Sequence, residues 1–423
     1  MTPESDTSSA PAGLPRPVRF LLLLAQLVGL AFVVRLWNIE STLFADLVSL
    51  SILGFAIHYW LPRAWRYRFF VGYSVACAFV MLGIKASSGL LLIGLLIYGL
   101  LRLPVAWWMR IAMVILFGVA LMVARTLVGQ PWVTDGFWPL VGSIFMFRTI
   151  VYIYDVRYAR TPPRLIDFLG YFYLLPNYYF LLFPVVDHQT FLVARDRKPL
   201  EDCAQTGIRW ISRGIVQLVL YRIVVMYMPD PAGATGLPEV VGFMVMTYLL
   251  YLRVSGQFHI AIGMIHLFGI DLPETHRKYL LASSIADFWR RINIYWKDFI
   301  LKIFYLPIFF RLRRGGEVRA AVIATSIAFF ATWALHAYQT YWLLGIPLLT
   351  LPDTLFWAIL GFLMVLSSIR EMKDPRPHDE RWSLRRVVGV IVTFAVITTL
   401  WSLWNAPSLD AWFRLVSLRG GGA

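Results

Sequence analysis

The chain has 423 residues, 59% of them hydrophobic and 15% charged, with a formal net charge of +15. Soluble domains carry about 25% charged residues, so this chain has too few polar groups to cover a water-facing surface of its size, and lipid is the simpler solvent. Its bases sit in short loops between apolar runs, which fits membrane topology and anionic headgroups and argues against nucleic acid as a partner.

The first 19 residues are polar and rich in Ser and Pro, and they read as a disordered cytoplasmic tail with no cleavable signal. A spanning helix needs roughly 20 apolar residues. Candidate spans follow at 20–38, 43–61, 69–85, 87–101, 105–128, 137–154, 211–228, 239–256, 320–345, 353–369 and 387–405. The expected organisation is a tail over 1–19, one membrane-embedded domain over 20–405 and a C-terminal tail over 406–423. The expected fold class is all-α and polytopic, with about eleven transmembrane helices plus re-entrant and interfacial helices.

Basic loops alternate along the first half. Arg16 and Arg19 precede the first span, Arg63, Arg66 and Arg68 follow the second, Arg102 and Arg110 flank the fourth and fifth, and Arg157, Arg160 and Arg164 follow the sixth. The intervening loops carry Glu40 and Asp135. Positive-inside topology then puts the N-terminus in the cytoplasm. The apolar stretch 165–186 breaks the alternation, because the loop after it carries Arg195, Arg197, Lys198 and Arg209. Pro176-Asn177 and Pro184 interrupt it. A re-entrant hairpin satisfies both facts, since broken backbone is tolerated where protein or a water-filled cavity surrounds it. The alternative is a Pro-kinked span.

Residues 287–307 interleave Asp287, Arg290, Arg291, Lys297, Asp298 and Lys302 with Phe288, Trp289, Ile292, Trp296, Phe299 and Ile300. This pattern predicts one amphipathic helix at the cytoplasmic interface. Asn293 falls on its polar stripe beside Arg290 and Lys297, a position that a merely solvated residue would also take. In the next span, His336 lies deep in an apolar run. An ionisable group there is costly and usually faces a cavity or a partner; a satisfied packing position is the alternative. Desolvation disfavours the charged imidazolium, and a neutral histidine is what a general base for an alcohol must be. Cys77 and Cys203 suggest neither a disulfide framework nor a metal site, and no His/Cys spacing resembles a zinc motif.

Three ordered segments resemble the membrane-bound O-acyltransferase family. Ser255-Gly256 with Ala261-Ile262-Gly263 and Leu267-Phe268-Gly269 is similar to one family segment, in which His259 replaces a frequent acidic residue. Phe288-Trp289-Arg290-Arg291-Ile292-Asn293, with Tyr305-Leu306-Pro307 after it, resembles the Phe-Trp-Arg-Arg-Trp-His/Asn signature. Trp333 and His336 resemble the family's histidine helix, with Leu335 and Ala337 in place of the usual Trp and Gly. The strong likeness runs from Tyr251 to Gly345, with Phe183-Pro184 a looser match upstream, and the departures suggest a divergent bacterial-type member.

The resemblance implies acyl transfer from a cytoplasmic thioester, acyl-CoA or an acyl carrier protein, to a hydroxyl, with no permanently bound cofactor and no metal. His336 and Asn293 would be the catalytic pair. Trp289, Arg290, Arg291, Tyr295, Lys297, Ser255, Gly256, His259 and Trp333 would line the substrate path. Many bacterial relatives O-acetylate polysaccharides, so the implied acceptor is a glycan, lipid or lipid-linked sugar at the inner (cytoplasmic) membrane, with an accessory transferase as a further partner. Two rivals share the spans and basic loops. A lipid-linked glycan flippase would move substrate without His336 or a thioester, and a non-catalytic scaffold would lose only stability without His336.

Overall fold

A computed structural model describes residues 14–128, 136–159, 162–181, 183, 186–231, 236–347, 349–374 and 383–417. The elements are helical throughout: α1 Arg16–Leu36, α2 Thr42–Trp60, α3 Arg63–Leu100, α4 Trp107–Val128, α5 Phe137–Pro139, α6 Met146–Arg157, α7 Leu165–Phe172, α8 His188–Val193, α9 Leu200–Tyr227, α10 Leu237–Leu249, α11 Tyr251–His266, α12 Ile285–Arg291, α13 Ile294–Ile300, α14 Leu306–Leu312, α15 Glu317–Leu344, α16 Leu351–Lys373, α17 Leu384–Trp404 and α18 Leu409–Val416. Among the described residues the β structure is confined to an isolated bridge between Arg195 and Ile270.

Ten helical stretches among the described residues are long and apolar enough to cross a bilayer. Their outer faces are bare hydrocarbon: on α4, Ile115, Leu116, Val119, Val123 and Leu127 are all exposed. Water would penalise such a surface and lipid does not. The chain is therefore a multi-pass membrane protein. Polar residues start several of the helices, spanning and short alike. Ser41 accepts from Phe44 N at the start of α2, and Ser284, Thr350, Ser383 and Ser408 do the same for α12, α16, α17 and α18.

Several expectations change in detail. The predicted spans 69–85 and 87–101 fall in one 38-residue stretch, α3, interrupted at Gly83 with φ 78° and ψ 170°. A straight helix of that length would be about 57 Å long, nearly twice the hydrocarbon core. A side chain at Gly83 would meet nothing within 4 Å, so the positive φ alone is what calls for glycine there. The first helix begins at Arg16, inside the expected tail, while residues 1–13 lie outside the described set. Helix α18 falls within the expected C-terminal tail, where Trp412 Nε1 donates to Ser402 Oγ at 3.1 Å. Arg160, Asp135 and Pro184 lie outside the described residues.

The stretch 165–186 holds no spanning helix among its described residues. Helix α7 has eight residues, about 12 Å, and a single 3₁₀ turn at Leu175–Tyr178 follows. The segment is buried in protein, with Phe168, Tyr171, Leu174 and Asn177 at 1% exposure or less. Arg148 of α6 donates to Phe172 O and to Asn177 Oδ1. Asn177 Nδ2 in turn donates to Phe183 O at 3.1 Å. Side chains thus satisfy part of the backbone that a helix would have satisfied itself, which is the condition for irregular backbone at membrane depth.

The residues divide into two compact units. One comprises 1–183, 187–216 and 256–273, and the other 184–186, 217–255 and 274–423. In the first, α9 and α11 pass with their backbones almost touching. A Cβ on Gly207 would lie 2.6 Å from Gly263 O, and one on Gly214 would lie 2.5 Å from Gly256 O. Both pairs are a heptad apart, as an antiparallel crossing of two helices requires. In the second unit an aromatic core gathers Tyr248, Phe288, Phe356, Trp357 and Trp401.

Candidate active site

The predicted single amphipathic helix over 287–307 is instead three short helices, α12, α13 and α14, with a π-helical turn at Leu301–Tyr305. The break falls at Ile292-Asn293. Asn293 adopts a left-handed conformation, φ 37° and ψ 63°, and its Oδ1 accepts from Trp296 N at 3.3 Å. Asparagine tolerates that backbone better than most residues, and its short side chain caps the helix it starts. The residue therefore leaves the polar stripe and stands at the mouth of a helix.

That break opens on a cavity of about 80 Å³. Asn293, Trp296 and Lys297 line one side, His336 of α15 reaches in from another, and Trp357 of α16 with Trp401 and Trp404 of α17 close it. His336 lies nineteen residues beyond the start of α15, roughly 28 Å along the axis. Its ring is boxed by indoles: the Trp357 ring is 4.8 Å away, Trp296 5.2 Å and Trp404 6.0 Å. Its backbone carbonyl accepts from Thr340 Oγ1 at 2.7 Å. Neither ring nitrogen is hydrogen-bonded to a described residue. A ring so placed can accept a proton from whatever hydroxyl enters.

Asp353 fixes one wall of the box. Its Oδ1 accepts from Trp404 Nε1 at 2.7 Å, and Trp404 stacks on Phe356 at 4.7 Å and 8°. We expect Asp353→Ala to release the indole and lower turnover about ten- to a hundredfold, the scale of a small misplacement. Asp353→Asn, which keeps an acceptor, should retain most of the activity; steady-state rates of the two variants check this.

The other residues singled out by sequence separate into two groups. Trp289 and Lys297 line the cavity; Trp289 also packs on Phe329 at 4.7 Å. Trp333 packs against the aromatic core beside it, and Tyr295 is buried. Arg290 makes a two-pronged pair with Glu371 at 3.0 Å, Arg291 pairs with Asp287 at 2.7 Å, and Lys297 with Asp298 at 2.8 Å. Ser255 is within hydrogen-bonding distance of the Tyr279 hydroxyl, at 3.0 Å. Helix α11 runs unbroken through Ser255-Gly256. Gly256 sits at the α9 crossing. His259 belongs to the first unit, stacked on Trp210 at 5.0 Å and 11°. Asp353, Trp357, Trp401 and Trp404 carry no sequence motif; the density of Trp in the last two spans was the signal available.

A multi-pass helical protein with a partly buried histidine in an aromatic cavity fits membrane acyl transfer, and the comparisons with known proteins support that general class. No family model matches the chain. A peptidoglycan O-acetyltransferase of Helicobacter pylori is 20% identical over 170 residues, 40% of this chain and 29% of that protein. A teichoic acid D-alanyltransferase of Bacillus subtilis is 22% identical over 238 residues, 45% of this chain and 58% of that protein. The aligned stretches thus span under two thirds of either relative's length.

Proposed function

We propose that the protein is a membrane-bound O-acyltransferase that moves a short acyl group from a cytoplasmic thioester to a hydroxyl of an envelope glycan, lipid or lipid-linked sugar. The observation that carries this reading is one cavity shared by Asn293 and by His336, whose ring nitrogens make no hydrogen bond to a described residue. The acceptor oxygen attacks the thioester carbonyl while His336 takes its proton. The C–S bond then breaks, and the thiolate leaves and collects that proton. Asn293 uses Oδ1 to cap α13, which turns its amide N–H groups elsewhere. They are suited to hydrogen-bond the acyl carbonyl as negative charge grows on its oxygen.

A cavity of about 80 Å³ holds a few water-sized groups at roughly 10–15 Å³ each. That favours acetyl over a fatty chain, in keeping with the acetyl group in one relative's name. The setting is the cytoplasmic membrane with the N-terminus inside. The bilayer, the thioester and the hydroxyl acceptor are the partners, with an accessory transferase as a further one; label reaching the acceptor from the chain alone would remove it.

Membranes containing the protein, given labelled acetyl and palmitoyl thioesters, should build alkali-labile label from the acetyl donor. No transfer from any thioester, with glycolipid movement intact, would favour the flippase instead. Asn293→Gly tests the amide's role. Glycine accepts the left-handed backbone and replaces an Asn cap at a cost of a few tenths of a kcal/mol. Stability should hardly change, while turnover falls about tenfold for one lost hydrogen bond.

A further inference from the structure

We propose that Cys203, His266 and Asp271 form a zinc-binding site. The sequence hides it, because the three residues are far apart in the chain. The α9–α11 crossing brings them together, one turn beyond the Gly207–Gly263 contact. One ligand atom from each lies within 4.8 Å of the other two. Cys203 and His266 are at most 1% exposed, and Asp271 is 9% exposed.

The hydrogen bonds define what each atom offers. His266 Nδ1 stands 2.7 Å from Ile262 O, and a carbonyl only accepts, so Nδ1 carries the hydrogen. In the neutral ring Nε2 is then a lone pair, and it faces Asp271 Oδ1 at 3.5 Å. Two acceptors then face one another, and either a second ring proton or a cation bound between them resolves the conflict. Zinc bonds of about 2.0–2.1 Å at a tetrahedral angle put such N and O atoms roughly 3.3 Å apart. A backbone hydrogen bond holding Nδ1–H is also the usual arrangement behind a metal-bound histidine.

The third ligand and its support are equally fixed. Asp271 N donates to Ala194 O at 2.9 Å, and Asp196 N to Gly269 O at 3.1 Å, clipping the ligand's loop to its neighbour. Thiolate and carboxylate together balance the ion's two charges, and the thiol proton leaves to solvent on binding. Imidazole, thiolate and carboxylate are a set that zinc accepts. Lys198 Nζ, 3.0 Å from Asp271 Oδ1 and half exposed, balances the carboxylate in the ion-free state and stands where it can swing aside.

The full chain, purified in detergent, should bind one zinc per molecule by elemental analysis. With cobalt in its place it should show the near-ultraviolet thiolate-to-cobalt charge-transfer band. Cys203→Ser should abolish that band, His266→Gln should weaken binding at least tenfold, and Lys198→Ala should keep both band and stoichiometry. The cobalt spectrum of the unaltered chain needs no variant to fold. The proposal is overturned if that chain, with its helical circular dichroism intact, gives no band and substoichiometric zinc. It is equally overturned if the band survives Cys203→Ser, since the thiol would then be Cys77.

Discussion

His336→Ala is expected to lower acyl transfer by about two to four orders of magnitude, the span that a positioned general base contributes. The ring reaches into the cavity from α15, and no described side chain holds its nitrogens back. The surrounding indoles have no basic atom to take over: an indole N–H only donates. His336→Gln should be almost as inactive, because an amide fills similar space without accepting a proton. Both variants should stay in the membrane and keep their helical circular dichroism, since the ring loses aromatic contacts worth only about 0.5–1.5 kcal/mol. The measurement is label transferred per mole of protein in matched membranes. Unchanged turnover in either variant would remove His336 from the mechanism.

The largest effect on stability is expected at the crossing of α9 and α11. Glycine within a helix usually costs about 0.5–1 kcal/mol relative to alanine, so Gly→Ala is ordinarily neutral or helpful. At Gly263 the sign should reverse. A Cβ there would lie 2.6 Å from Gly207 O, 2.7 Å from Ile211 Cγ1 and 3.0 Å from Ile211 N. Two of those three atoms are backbone and cannot rotate away, so the helices must separate. Overpacking of this kind costs about 1–3 kcal/mol, and Gly263→Val, with two further methyl groups, should cost more. Gly29 and Gly118 supply the control, as a Cβ at either meets nothing within 4 Å. Thermal unfolding in one detergent should rank the Gly263 variants far below Gly29→Ala and Gly118→Ala. Equal melting temperatures would mean the close approach does not exist.

Those glycines also illustrate what the sequence could and could not convey. Apolar run length disclosed the spans well, because the bilayer sets one length for all of them. It misjudged α3, where two expected spans lie in one helical stretch interrupted by a single glycine conformation. The Ser255-Gly256…Gly263 pattern was legible as a resemblance and invited a substrate-binding reading. Its two glycines make room for a neighbouring helix at Gly207 and Gly214, a contact that no spacing in the sequence conveys. Asn293 and His336 were both visible, one as a polar residue in a basic region and the other as a buried ionisable group. What joins them was not visible. Polar periodicity runs smoothly through 287–307, so nothing in it announced a left-handed residue and a fresh helix start. Trp357, Trp401, Trp404 and Asp353 come from helices with no motif, and proximity across such separations leaves no trace in spacing. The partners of Arg290 and Arg291 divide in the same way: Asp287 is four residues from Arg291 and readable on a helix, while Glu371 is eighty-one residues from Arg290 and is not.

The indoles packed around His336 give the protein an optical signature. Indole emission shifts with the polarity and hydration of its surroundings, and a protonated imidazole nearby quenches it. Trp296, Trp357 and Trp404 all lie within about 6 Å of that ring, out of seventeen tryptophans in the chain. Filling, emptying or protonating the chamber should therefore register as a difference in intrinsic fluorescence that disappears when Trp357 and Trp404 are replaced by phenylalanine. A candidate donor or acceptor can then be screened by titration in the dark of any turnover, before the transferred group or its destination has been named.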